Sequence, residues 1–189
     1  VDAWTRRAET SKAARPAAPP PEDADARGPA EDAESVARKI LLDQLTGQAR
    51  SRKELADKLA KRNVPDEVAG RLLDRFEEVG LVDDHAFARL WTTSRQSSKG
   101  LARRALAQEL RRKGVADDVA REALDELDPA DEEASARTLV QRKLRSMSRL
   151  DDTTKARRLL GMLARKGYPS GLAMAVVRSE IAGMPESDA

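Results

Sequence analysis

One spacing constrains this chain more than any other. A leucine pair four residues apart, then an Asn or Gly four residues on, then an apolar residue, returns three times: Leu55-Leu59-Asn63-Val64, Leu106-Leu110-Gly114-Val115 and Leu159-Leu163-Gly167-Tyr168. Leu59 and Leu110 stand 51 positions apart, and Leu110 and Leu163 stand 53 apart. Each copy adds an apolar residue nine positions after its second leucine, at Val68, Val119 and Leu172. A fixed period near 50 residues marks a supersecondary unit used three times and stacked.

The repeat unit reads as helical. In the first, Val36, Ile40, Leu41 and Leu45 mark one helix face. Gly47 ends that helix, and Ser51-Arg52-Lys53-Glu54 has the capping-box form that opens the helix of Leu55 and Leu59. Asn63 suits a left-handed C-terminal position, and Pro65 fits the first turn of a third helix carrying Val68, Leu72, Leu73 and Phe76. The second unit repeats the plan: Asp83 or Asp84 caps a helix of Phe87, Leu90 and Trp91, and helices of Leu106-Leu110 and of Val119, Ala123, Leu124 and Leu127 follow. The third opens with a longer helix of Leu139, Val140, Leu144 and Met147. Caps within 151–154 then start the helix of Leu159 and Leu163, and Pro169 starts a last helix of Leu172, Val176, Val177 and Ile181. No segment alternates with the two-residue period of a strand.

The expectation is an all-α fold of three tandem three-helix repeats, over residues 33–82, 83–128 and 129–182, forming an elongated curved array. By helix dimensions it would span about 60–75 Å. Aromatic content of 3% and charged content of 36% fit alanine- and leucine-lined helix seams. Residues 1–32 hold five of the nine prolines and bury too little apolar surface to offset the entropy of ordering. They are expected to form a disordered tail, with Trp4 incidental to it, and residues 183–189 a disordered C-terminus. The absence of cysteine excludes disulfides, thiolate metal sites and cysteine nucleophiles. No apolar run is long enough to span a membrane, so a soluble cytoplasmic protein is expected.

A net charge of +2 hides a wave along the chain. Residues 34–62 sum to +4 and 65–84 to −5; residues 89–115 sum to +7 and 116–133 to −8; residues 137–167 sum to +8 and 168–189 to −2. The first two helices of each unit are basic and the third is acidic or near neutral. The helix dipole accounts for Asp66-Glu67 and Asp117-Asp118 in first turns, and for Lys61-Arg62 and Arg111-Arg112-Lys113 in last turns. It disfavours Arg103-Arg104 and Arg157-Arg158, in the first halves of their helices, and these call for another reason such as an anionic partner. The candidate contacts are therefore Lys61, Arg62, Arg103, Arg104, Arg111, Arg112, Lys113, Arg157, Arg158, Arg165 and Lys166. A long basic side suits an elongated polyanion, either nucleic acid or an acidic groove in a protein polymer.

Other chemistries find little support. A helix that reads bases in the major groove carries Arg, Lys, Asn or Gln, whereas the third helices of units one and two are acidic. Ser98-Lys99-Gly100 is too short a signal for a phosphate loop. His85 beside Asp83 and Asp84 reads as part of a surface cap cluster in preference to a metal site. Adjacent pairs such as Glu77-Glu78 and Glu132-Glu133 diverge on a helix and form no acid/base dyad. No catalytic residue, metal or cofactor is expected.

The stretch Gly80-Leu81-Val82-Asp83-Asp84-His85-Ala86-Phe87-Ala88 resembles the junction of the first and second units in the RecX regulatory proteins. Ser51-Arg52-Lys53-Glu54-Leu55 with Lys58-Leu59, and Gly100 with Glu109-Leu110 and Lys113-Gly114-Val115, are similar to that family's other hallmarks. The resemblance covers about residues 36–182, with the Pro-rich tail outside it. It implies three tandem three-helix repeats and a non-enzymatic control of the RecA recombinase in DNA repair and the SOS response. It further implies binding within the groove of the RecA–DNA filament, limiting strand exchange, ATP hydrolysis and coprotease activity. The partners expected are the RecA filament and DNA, single-stranded and also double-stranded, without sequence preference, met by a monomer. The other reading of the basic side is a general nucleic-acid-binding helical-repeat protein with no dedicated recombinase partner.

Overall fold

The computed structural model describes residues 29–183. Its elements, among the described residues, are helices: α1 (Pro29–Gly47), α2 (Arg52–Ala60), α3 (Asp66–Glu78), α4 (Asp84–Lys99), α5 (Arg103–Arg112), α6 (Asp117–Asp125), α7 (Pro129–Leu144), α8 (Asp152–Arg165) and α9 (Ser170–Ala182). The extensive helix–helix packing pairs α1, α2 and α3 with one another, likewise α4, α5 and α6, and likewise α7, α8 and α9. Each triplet closes on itself before it meets its neighbour.

The repeated leucines explain the closure. Leu55, Leu59, Leu106, Leu110, Leu159 and Leu163 are all 0% exposed, at the centre of their triplets. Burying a leucine contributes about 2 kcal/mol, so each pair anchors its middle helix against both partners. Around them sit separate cores: Leu41, Leu72, Leu73 and Phe76 in the first unit, Phe87, Val115 and Ala123 in the second, Val140, Tyr168 and Val176 in the third. Only the third core reaches across a boundary, taking in Ala102 from the start of α5.

Two expected core positions face outward. Val36 is 54% exposed, and α1 packs instead through Ala37 and Leu41. Leu90 is 62% exposed, and α4 packs through Phe87, Ala88 and Thr92 with Trp91 half-buried. Each residue turns a helix by about 100°, so a stripe read one position out of phase lands in solvent. Thr92 fills its buried place because its hydroxyl donates to the Ala88 carbonyl at 3.0 Å. Met147 is buried, but in the turn beyond the end of α7, and Leu127 lies past the end of α6. At the N-terminal side α1 starts at Pro29, inside the segment expected as tail, because a first-turn proline gives up no helical hydrogen bond. The expectations for residues 1–28, Trp4 among them, and for 184–189 lie outside the described residues.

The units are stitched by one contact used twice. Ser51 caps α2 in a complete capping box with Glu54, and its hydroxyl also donates to the Lys113 carbonyl at 2.6 Å. Lys113 closes α5, and its ammonium pairs with Glu54. At the next boundary the N–H of Ala102, the N-cap of α5, donates to the Lys166 carbonyl at 2.9 Å. Each middle helix thus offers its N-cap to the turn that ends the middle helix of the following unit. Asp84 and Glu132 repeat the theme, accepting from the N–H groups of Arg52 (2.9 Å) and Arg103 (3.1 Å).

Tyr168, 5% exposed, adds to the second boundary by donating its hydroxyl to the Gly100 carbonyl at 3.1 Å. Burial, with the negative charge of Glu132 behind it, pushes the phenol up to about 12. It is the only tyrosine, so absorbance at 295 nm reports it alone. The folded value lies above the unfolded one near 10, so its stabilising share is complete below about pH 10 and lost as pH rises through the folded value. The native chain should ionise near pH 12 and the urea-unfolded chain near pH 10; a native midpoint at 10 would mean the hydroxyl is not held in this boundary.

Candidate basic interface

The eleven expected contacts divide by what each cation meets. Arg103 is the first residue of α5, where the dipole disfavours it, and the structure supplies an internal reason. Its guanidinium donates to the Leu127 carbonyl just past α6 and lies 3.8 Å from Asp125. Arg52 holds the same register at the start of α2 and bonds Asp74 and Glu77 of α3, each at 2.6 Å. Burial opposes its charge, but those two carboxylates outweigh it and hold the guanidinium above its ordinary range. Much of the charge wave is therefore internal: the acidic third helix supplies anions to the first residue of the basic middle helix.

Lys113 and Lys166 are half-buried in the boundaries. Lys113 pairs with Glu54 and lies 4.4 Å from the centre of the Trp91 ring, with Arg95 at 4.0 Å from the same ring. The Trp91 indole N–H donates to Glu109 at 2.9 Å, fixing the ring between α4 and α5. Lys166 donates its ammonium to the Lys99 carbonyl at the end of α4. Arg111 is exposed and 3.1 Å from Asp117, a surface pair of small net worth.

Lys61, Arg62, Arg104, Arg112, Arg157, Arg158 and Arg165 remain exposed, and none makes an ion pair among the described residues. Their register repeats. Arg104 and Arg157 each stand two residues before the first leucine of the signature, and Lys61, Arg112 and Arg165 each stand two before its Asn or Gly. The structure gathers Arg103, Arg104 and Arg111 in one groove between α5 and α6, together with Arg121, Asp117 and Asp125. Lys61 lies in a separate groove with Arg50, Glu54 and Lys58. The sequence reading missed Arg52, which its register with Arg103 would have given, and missed Lys99 and Arg142, which lie outside the repeated signature.

His85 is at the start of α4, where Asp83 does the capping, accepting from Ala86 N–H at 2.9 Å. Its Nδ1 lies 3.2 Å from Glu122 across on α6. No three His, Cys, Asp or Glu side chains converge as metal ligands among the described residues. Among them too, no helix is long and apolar enough to cross a membrane.

Fold and surface together define a class: a helical-repeat protein that carries exposed cations at matching positions of its repeats. The chain matches the RecX first three-helix domain over residues 37–76, the second over 83–124 and the third over 131–177. It is 52% identical over 151 residues to the regulatory protein RecX of Thermobifida fusca, covering 80% of this chain and 82% of that one. To the regulatory protein RecX of Streptomyces lividans it is 52% identical over 153 residues, 81% of each chain. The crystal structure of RecX from Lactobacillus salivarius superposes with a TM-score of 0.72 over 80% of this chain and 98% of that one, at 19% identity, which bears on the fold. The chain belongs to the RecX family, a family of regulatory proteins and not of enzymes.

Proposed function

We propose that this RecX-family chain inhibits RecA by lying in the groove of the RecA–DNA filament. There it limits strand exchange, ATP hydrolysis and coprotease activity in DNA repair and the SOS response. It acts in the cytoplasm as a monomer, and it touches DNA, single- or double-stranded, through phosphates without reading bases. Family membership supports the regulatory role, and the observation that carries the mode of binding is the register of exposed cations. Lys61, Arg112 and Arg165 return once per unit and Arg104 with Arg157 in the second and third, so successive units meet the filament through matching positions. The acidic first turn of α6, Asp117-Asp118, keeps that helix out of a DNA groove.

Within this reading Arg62 and Arg158 join the exposed set, Arg111 exchanges Asp117 for the filament, and Arg103, Lys113 and Lys166 hold the framework that presents the others. The test is ATP hydrolysis by RecA on single-stranded DNA with the chain at stoichiometric levels. The expected result is hydrolysis slowed several-fold, with filament shortening in negative-stain images. Full hydrolysis at equimolar chain would sink the proposal.

A further inference from the structure

The boundary between the second and third units holds a group of cations that the repeated signature does not mark. Lys99 is the last residue of α4, and Gly100 beyond it turns left-handed at φ 58°. The Lys166 ammonium, arriving from the end of α8, donates to the Lys99 carbonyl and so neutralises the negative end of the α4 dipole. Arg142, in the last turn of α7, lines the same open groove as Lys99. Burial lowers the proton affinity of Lys166, and the nearby charges of Arg142 and Lys99 lower it further. Like charges held this close cost free energy that a bound anion would relieve.

What else lines the groove narrows its ligand. The hydroxyl protons of Ser97, Ser98 and Thr138 are all committed to carbonyls of their own helices. Gln96 and Ser135 remain as neutral donors along the groove, and its positive charge comes from Lys99 and Arg142. Its one carboxylate, Asp131, sits eleven residues before Arg142, about 16 Å along α7 at helical rise. Neither Lys99 nor Arg142 has an ion-pair partner among the described residues. An open trough with cations at one end suits an extended chain of phosphates better than an enclosed small anion.

We propose that Lys99 and Arg142, with Lys166 as the framework cation behind them, form a phosphate-binding site for a nucleic-acid backbone at the boundary of the second and third units. This rests on the reading that the chain contacts DNA. Phosphate neutralisation leaves a signature in salt dependence, a slope of about 0.7 per contact for single strands. The experiment titrates the full chain onto a fluorescein-labelled thirty-nucleotide oligo-dT, reading anisotropy across a range of sodium chloride. Removing both exposed charges, Lys99→Ala with Arg142→Gln, is expected to lower the slope by about 1.4 and to weaken binding about tenfold at low salt. The charge-keeping pair Lys99→Arg with Arg142→Lys should restore both, and neutralising two exposed cations of the first unit, Lys39→Ala on α1 with Arg71→Gln on α3, should change neither by twofold. Circular dichroism melting controls for folding.

An unchanged slope in the neutralised variant, with wild type binding normally, overturns the site and leaves the proposed function standing. Wild type that binds no oligonucleotide overturns the site and the DNA part of that function together. Loss of binding to DNA-free RecA with oligonucleotide binding intact overturns the phosphate assignment in favour of an acidic protein surface.

Discussion

Replacing Gly167 with alanine is expected to destabilise the chain by about 3–5 kcal/mol. Gly167 turns left-handed at φ 88°, which alone costs an alanine about 1 kcal/mol. The added Cβ would also sit 2.5 Å from the Ala105 backbone nitrogen and 2.8 Å from its Cβ. Those atoms belong to the first turn of α5 and have no rotamer to escape into. The turn must therefore withdraw, and the Ala102–Lys166 and Tyr168–Gly100 hydrogen bonds go with it, each worth about 1 kcal/mol. Two other glycines calibrate the measurement. Gly80 has φ 72° with open space around its Cβ position, so Gly80→Ala should cost only about 1 kcal/mol. At Gly114 the Lys53 side-chain end can swing aside, but the Lys53 Cβ, 2.4 Å from the added methyl, is fixed to α2, so the loss should approach that at Gly167. Urea unfolding of the three variants ranks them; equal losses at Gly167 and Gly80 would show that the second boundary is not tightly packed.

The second large effect is functional. Reversing Arg104 and Arg157 together to glutamate should raise the amount of chain needed to halve RecA ATP hydrolysis at least tenfold. Both side chains are exposed and without ion-pair partners among the described residues, so the melting temperature should hold within about 2 °C. Arg103 must be left alone in such a test. A glutamate there would face Asp125, Glu132 and the Leu127 carbonyl, leaving that carbonyl without its donor and loosening the α5–α6 corner. Reversing Arg103 and Arg104 together would mistake a broken fold for a lost contact. Undiminished inhibition by the Arg104/Arg157 variant would exclude these positions from the interface.

The three-unit plan is legible in the sequence because its cause is local. Leucines at helical spacing, a capping box and a left-handed Asn or Gly all act within about twelve residues. Val36 and Leu90 misled because periodicity tolerates a neighbour one position out of phase, and only packing chooses between them. The cations were legible as a set but not one by one. Arg103 looked unprovoked at a helix start, yet its answer, the Leu127 carbonyl, lies 24 residues on. Ser51 and Lys113 meet across 62 positions, and Lys166 approaches Lys99 across 67, distances over which a sequence pattern carries no partner.

Asn63 gives the repeat a further meaning. It holds the same left-handed turn as Gly114 and Gly167, at φ 57°, but carries the Cβ that those two boundaries exclude. At the opposite end, Lys155 occupies the register of Ser51 and Ala102, the residues that receive the following unit. It lies buried beneath an extra turn of α8, which Asp151 caps, with its ammonium on Asp152 at 2.8 Å. The joint that links unit to unit inside the chain is thus denied to a second molecule on either side. The array is finished at both of its described ends, and its inner joint is one formed between units of the same chain.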